Sequence, residues 1–193
     1  MEISLQGGLV RLRILRADDA ELTLRWRNGA RTQYLNKGAQ DVDAQRRWIL
    51  RSEAEGDLNF VMEYQGAAVG MISLYAINRA HRSVVMGRLL IGEAEAVGNA
   101  PVVFDAERLI MDYAFEQLNM HSICGDVVAS NVAVVKMRRY LRWHQDGVIP
   151  EHFYIDGRYV DAVLVSVLKD DYYKNCRRIL QAAVDLYGAA QGK

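Results

Sequence analysis

Cysteine and proline are close to absent, with two of each in 193 residues. Cys124 and Cys176 cannot supply the several bridges that staple small secreted domains. The chain must therefore rely on a core, and both thiols are expected to be reduced, as in a cytoplasmic protein. Pro101 and Pro150 stand alone, and no repeat or low-complexity segment appears, so no linker divides the chain. An excess of one charge is also missing. Lys+Arg 24 balance Asp+Glu 24, which removes the footprint that nucleic acid or an anionic membrane selects. No apolar run approaches the ~20 residues that a membrane-spanning helix needs. The opening MEISLQGG lacks the basic and apolar blocks of a secretion signal. His81, His121, His144 and His152 show no paired ligand spacing, so no metal is expected. Neither a G-x-S-x-G elbow nor a Walker-type loop occurs.

What is present is clear periodicity. LVRLRIL at 9–15 alternates apolar and basic residues, as a half-buried strand does. Asp18 and Asp19 suit a helix start running through Trp26, and DAQRRWILRSEAEG predicts a second helix with Asp43 as cap and Gly56 as stop. LNFVMEY, AAVGMISLYAI and RSVVMGRLLIG read as three consecutive antiparallel strands. A helix from Pro101 to about Leu118 follows, with Val102, Leu109, Ile110, Tyr113 and Leu118 on one stripe. SICGDVVAS is a further strand, and Asn131 caps a helix through about Arg142. EHFYI, Asp156-Gly157 and RYVDAVLVSVL form a hairpin, and KNCRRILQAAVDLYG predicts a last helix. The order βααβββαβαββ gives an α+β fold with about seven strands.

One segment carries more chemistry than the rest. Residues 89–115 run from a strand end, through Gly98-Asn99-Ala100-Pro101, into an amphipathic helix. A helix N-terminus presents unpaired N–H groups and a positive dipole end, so this step is a candidate anion cradle. Its other reading is a plain helix-entry turn.

Taken in order, RWRN at 25–28, MGRLLIG, ERLIMDYAFEQL, VVASNVAVVKM and DGVIPEHFYIDGRYVDAVLVSVLKDDY resemble the GNAT acetyltransferase superfamily. The likeness covers roughly residues 8–173 and is nearest to the branches that acetylate amino sugars and ribosomal-protein N-termini. It implies one acetyltransferase domain over 1–173 with a helical tail over 174–193, built on a mainly antiparallel seven-stranded sheet flanked by helices. The co-substrate it implies is acetyl-CoA, whose pyrophosphate would meet the main chain at Gly98, Asn99 and Ala100. The family's basic residue is missing from AVGNAPVV, and Pro101 removes one donor.

The same resemblance assigns roles. The oxyanion donor falls on the main chain of Leu89, Leu90 or Ile91. Asp126 is either the proton acceptor or a group that orients the amine, and Glu93 is a surface carboxylate or a relay. Counting seven from Asn131, the family's tyrosine acid is replaced by Arg138. Tyr140, two residues on and about 200° round a helix, should face away. Arg138 is then either an exposed helix residue or a charge for the thiolate or a cofactor phosphate. Arg27 and Asn28 end the first helix, where a guanidinium suits phosphate or carboxylate. Gln45, Trp48, Tyr75 and Asn78 would line the acceptor pocket, although Trp26 and Trp48 also fit helical apolar stripes and read as core. The implied activity is N-acetylation of a nucleotide-linked amino deoxysugar. The alternatives are a protein N-terminus as acceptor, or a non-catalytic acyl-CoA-binding protein. The implied partner is a small molecule, without nucleic acid or membrane, and a homodimer is the candidate assembly.

Overall fold

Alternation along the strands divides the side chains between two faces of one sheet. In the second strand Val10 and Leu12 are fully buried while Arg11 is exposed. Farther on, Phe60 and Met62 join the larger core and Val61, between them, joins the smaller one. The computed structural model describes residues 3–29, 33–34 and 38–191. In chain order the elements begin with β1 (Ser4–Gln6), β2 (Val10–Ile14), a 3₁₀ turn (Ala17–Asp19), α1 (Ala20–Arg27) and α2 (Val42–Ala54). Then come β3 (Leu58–Tyr64), β4 (Ala67–Asn78), β5 (Ser83–Ile91), the short α3 (Ala94–Val97) and α4 (Val102–Glu116). The chain continues through β6 (Ser122–Val128), α5 (Val132–Tyr140), β7 (His144–Ile155) and β8 (Arg158–Leu168). It closes with α6 (Lys169–Asp171), a π-helical turn (Tyr172–Cys176) and α7 (Arg177–Gln191).

The sheet order is β1-β2-β3-β4-β5-β6-β8-β7. Every pairing is antiparallel except β5 with β6. That parallel pair needs a crossover, which α4 supplies. One face of the sheet packs against α4 and α7 through Ala106, Ile110, Phe115 and Leu180. The other packs against α1 and α2 around Trp26 and Ile49. Full burial of such a large apolar side chain contributes about 1.5–3 kcal/mol.

Several expectations need correction. The sheet has eight strands, not seven, because three-residue β1 pairs with β2; a stretch that short shows no period. The cap of α2 is Asp41, whose Oδ1 accepts from Ala44 N–H at 2.7 Å, so Asp43 lies in the first turn. Pro101 stands just outside α4, not within it. Helix α5 stops at Tyr140 rather than Arg142. Strand β7 starts seven residues before Glu151, at His144, and includes Pro150, which falls in the register shift between Ile149 and Phe153. A proline is tolerated there because β7 is an edge strand, where one missing donor breaks no ladder bond. The last helix buries Leu180 and Val184, and Arg177 Nε donates to Asp112 Oδ1 at 2.8 Å, which ties α7 to α4.

Candidate active site

The site exists because two parallel strands part. β5 and β6 pair only from Ser83 to Val85 against Ser122 to Cys124. Beyond that point β5 stays with β4 and β6 stays with β8. A bulge drives the separation. Met71 pairs with Leu90 but Ser73 pairs with Gly87, so β5 carries one residue more than β4. Arg88, at φ +52°, sits within this bulge; such an insertion bends the strand and re-aims its side chains. The gap opens into a cavity of about 690 Å³ bounded by α1, α2, β4 and α5. Leu89 lines it. The Leu90 side chain turns the other way, into the core beside Trp26, so any role for Leu90 belongs to its main chain. Ile91 borders a second hollow of about 300 Å³ with Gly98, Ala100 and Pro101.

The hollow beside Gly98 is where the cradle was expected, and its donors are largely engaged. Gly98 N–H donates to Ala94 O (3.0 Å), Ala100 N–H to Val97 O (3.1 Å) and Val102 N–H to Ala100 O (2.8 Å). Phe104 and Asp105 N–H both reach Pro101 O. Asp105, fully buried, accepts from Leu9 and Val10 N–H at 2.7 and 3.0 Å, placing a carboxylate in the first turn of α4. Of the cradle expected at Gly98, Asn99 and Ala100, the Gly98 and Ala100 N–H groups are engaged by the tight turn itself. A diphosphate at the hollow would lean on Asn99 and neighbouring side chains instead of a row of amides.

Along the cavity wall, guanidinium groups gather on aromatic faces. Arg27 and Arg88 lie 5.7 and 5.4 Å from the Trp48 ring, and Arg88 also covers Tyr75 at 4.2 Å. Arg88 Nη1 donates to Asp57 (2.7 Å), Asn59 (3.0 Å) and Ser52 (3.3 Å). Ser73 and Ser52 complete that buried network. Burial pushes the pKa of Arg27 down, and the positive charge of Arg88 adds to the effect. Trp48 is half-buried: it packs against the smaller core and also faces the cavity. Tyr75 lies against the strand opening: a Cβ on Gly87 would come within 3.0 Å of its hydroxyl, so residue 87 has little room for a side chain. Burial first, then the charge of Asp126, raises the Tyr75 phenol.

Other expected residues separate into lining and support. Arg27, Gln45, Tyr75, Asp126, Asn131 and Arg138 all border the cavity. Gln45 is nearly fully buried and donates to Thr23 Oγ1 at 3.0 Å. Asn131 caps α5, accepting from Val134 N–H at 3.4 Å. Asn28 and Asn78 are corrected, since neither borders the cavity. Asn28 closes α1, and Asn78 Oδ1 accepts from His81 N–H at 2.9 Å in the turn after β4. Glu93 accepts from Trp26 Nε1 at 2.8 Å and pairs with Arg25, fastening α1 to the end of β5. These two hydrogen bonds hold its carboxyl below the usual range, Trp26 contributing more than Arg25. Arg138 is not an exposed helix residue. It is buried, donates to Glu107 Oε2 at 2.8 Å and stacks on Trp143 at 4.6 Å. Tyr140 faces solvent, 61% exposed, as its helical phase required.

Arg88 and Arg51 escaped the sequence reading. For Arg88 a signal existed: a charge inside the apolar run VVMGRLLI must find a partner or mark an irregular strand. Arg51, on the exposed side of α2, showed none.

The fold is thus a mixed sheet whose central parallel pair splays over a cavity, with a helix crossing between the two strands. The match to the family model described as the acetyltransferase (GNAT) domain, over residues 10–141, makes the family explicit: the chain belongs to it. Among curated relatives, spermidine N(1)-acetyltransferase of Escherichia coli strain K12 is 27% identical over 118 residues, 61% of this chain and 62% of that protein. The chain thus spans less than two thirds of that relative's length. The probable N-acetyltransferase YjcK of Bacillus subtilis strain 168 is 26% identical over 180 residues, covering 86% of this chain and 98% of its own. A crystal structure of spermidine N-acetyltransferase from Vibrio cholerae, in complex with CoA and spermine, superposes with a TM-score of 0.77 at 24% identity. It covers 86% of this chain and 99% of its own, and at that identity the likeness is one of fold.

Proposed function

We propose that the protein transfers an acetyl group from acetyl-CoA to the amino group of a nucleotide-linked amino deoxysugar. One observation carries the acceptor class. Arg27, Arg51 and Arg88 surround the cavity with Trp48 and Tyr75, and Asp126 is its only carboxylate among the described lining residues. Guanidinium groups of this kind recognise phosphate, Arg27 and Arg51 more directly than Arg88, which already donates to Asp57, Asn59 and Ser52 and covers the Tyr75 ring. A polyamine, the ligand named for the relatives above, is a cation and would meet like charge here. Asp126 gives the one place where an amine is attracted.

The test follows free thiol release from acetyl-CoA with three acceptors: a panel of nucleotide amino sugars, spermidine, and a peptide with a free N-terminus. Turnover on a nucleotide amino sugar, weakened by added salt, is the expected result; turnover on spermidine or the peptide alone would reject the acceptor class. Arg27→Ala is expected to raise the acceptor KM about 10-fold or more, the value of one charge-assisted contact, while leaving the acetyl-CoA KM unchanged.

A further inference from the structure

His152 Nε2 lies 3.9 Å from Asp126 Oδ2. The two residues come from non-adjacent strands, since β8 separates β6 from β7 in the sheet. A second irregularity brings them together. Ile149 pairs with Ala162 and Phe153 with Val160, so four steps along β7 match two along β8. Glu151, inside this bulge, has φ +50°, and its N–H donates to Asp161 Oδ1 at 2.9 Å. Non-glycine residues rarely hold that conformation, and here a carboxylate pins it. The bulge re-aims the imidazole, which stands edge-on to Phe153 at 4.8 Å. Phe153 and Asp126 both line the cavity, whereas His152 lies outside its lining; the His152 and Asp126 side chains are about equally exposed, 40% and 38%. Asp126 is therefore the inner member of the pair and His152 the outer one.

We propose that Asp126 and His152 form a proton exit path for the acceptor amine, the carboxylate taking the proton within the cavity and the imidazole delivering it to bulk water. The path rests on the acetyl-transfer reading above. An amine arrives as an ammonium and must lose one proton before its lone pair can attack a thioester carbonyl. The N–H bond breaks as an Oδ2–H bond forms. That bond breaks in turn as Nε2 of a neutral imidazole accepts the proton, and the imidazolium releases it to water. One proton leaves per amide formed. The carboxylate faces the cavity and the imidazole lies outside its lining, so the second member carries the proton from the site to solvent. The present separation exceeds the hydrogen-bonding range of about 2.7–3.2 Å, and one bridging water or a small side-chain rotation closes it. Asp126 of β6 is the charged group beside the imidazole, Asp161 of β8 holds the main chain of Glu151 just before it, and Tyr75 lies near enough to Asp126 to feel its charge.

Two measurements test this. The first needs no acceptor: the ring resonance of His152, assigned by its loss in His152→Gln, is compared between the native protein and Asp126→Asn. Loss of the neighbouring carboxylate should displace that resonance; an unmoved resonance overturns the pair. The second uses whichever amine the native enzyme acetylates. His152→Gln should lower turnover roughly 10-fold or more, within the range of acid–base contributions, with the acetyl-CoA KM unchanged and the rate partly restored by added imidazole. Full turnover without such rescue overturns the path. An enzyme inert toward every amine would instead overturn acetyl transfer and the path with it, whereas an active enzyme with an uncoupled His152 overturns the path alone.

Discussion

Arg138→Leu is expected to lower the melting temperature by roughly 10 °C. Breaking a buried ion pair from one side costs about 3–5 kcal/mol, and a domain of this size loses about 2–4 °C per kcal/mol. The cost arises on the partner. Glu107 is fully buried; Oε2 accepts from Arg138, and Oε1 has no hydrogen-bond partner. The charge is felt nearby, for the Cys176 thiol is pushed up to about 12, first by burial and then by Glu107. Without the guanidinium, that carboxylate is left uncompensated between α4 and α5. Glu107→Met combined with Arg138→Leu should recover most of the loss, because an apolar pair of similar volume removes both buried charges together. Thermal denaturation followed by circular dichroism reads both results. A single variant melting within 2 °C or so of the native protein would show that water reaches Glu107 and screens it.

Asp126→Asn should leave the fold intact and lower turnover by about 10²–10³-fold, the usual value of a positioned acid–base group. The side chain is 38% exposed, so its loss leaves no buried partner stranded. An amide of the same shape still accepts a hydrogen bond from the amine but cannot take its proton. The acetyl-CoA KM should therefore hold while kcat falls, which steady-state thiol release separates. Turnover equal to the native enzyme at every pH would remove Asp126 from the chemistry and leave it as a surface carboxylate of β6.

The cavity was only half legible. Arg27, Gln45, Tyr75 and Asp126 were named from the family resemblance, and all four border it. Asn28 and Asn78 sit in equally suggestive places yet serve a helix end and a turn. Both asparagines satisfy local main-chain needs, and sequence alone does not tell such a residue from one aimed at a ligand. Arg138 shows the reverse error. Its neighbours in the helix sequence suggested exposure, but its partner, Glu107, lies 31 residues away on another element.

Local pattern, read one window at a time, determined the alternating strands, the amphipathic α4, the Asn131 cap, the outward phase of Tyr140 and the order of elements that marks the family. Each follows from a period of two or 3.6 residues, or from a side chain reaching its own backbone, and so needs no distant contact. Tertiary structure alone decided the eighth strand, the bulge at Arg88 that parts β5 from β6, the engaged amides around Gly98 and the approach of His152 to Asp126. Those features depend on which strand lies beside which and in what register, and pairing partners far apart in the chain leave no local period to read.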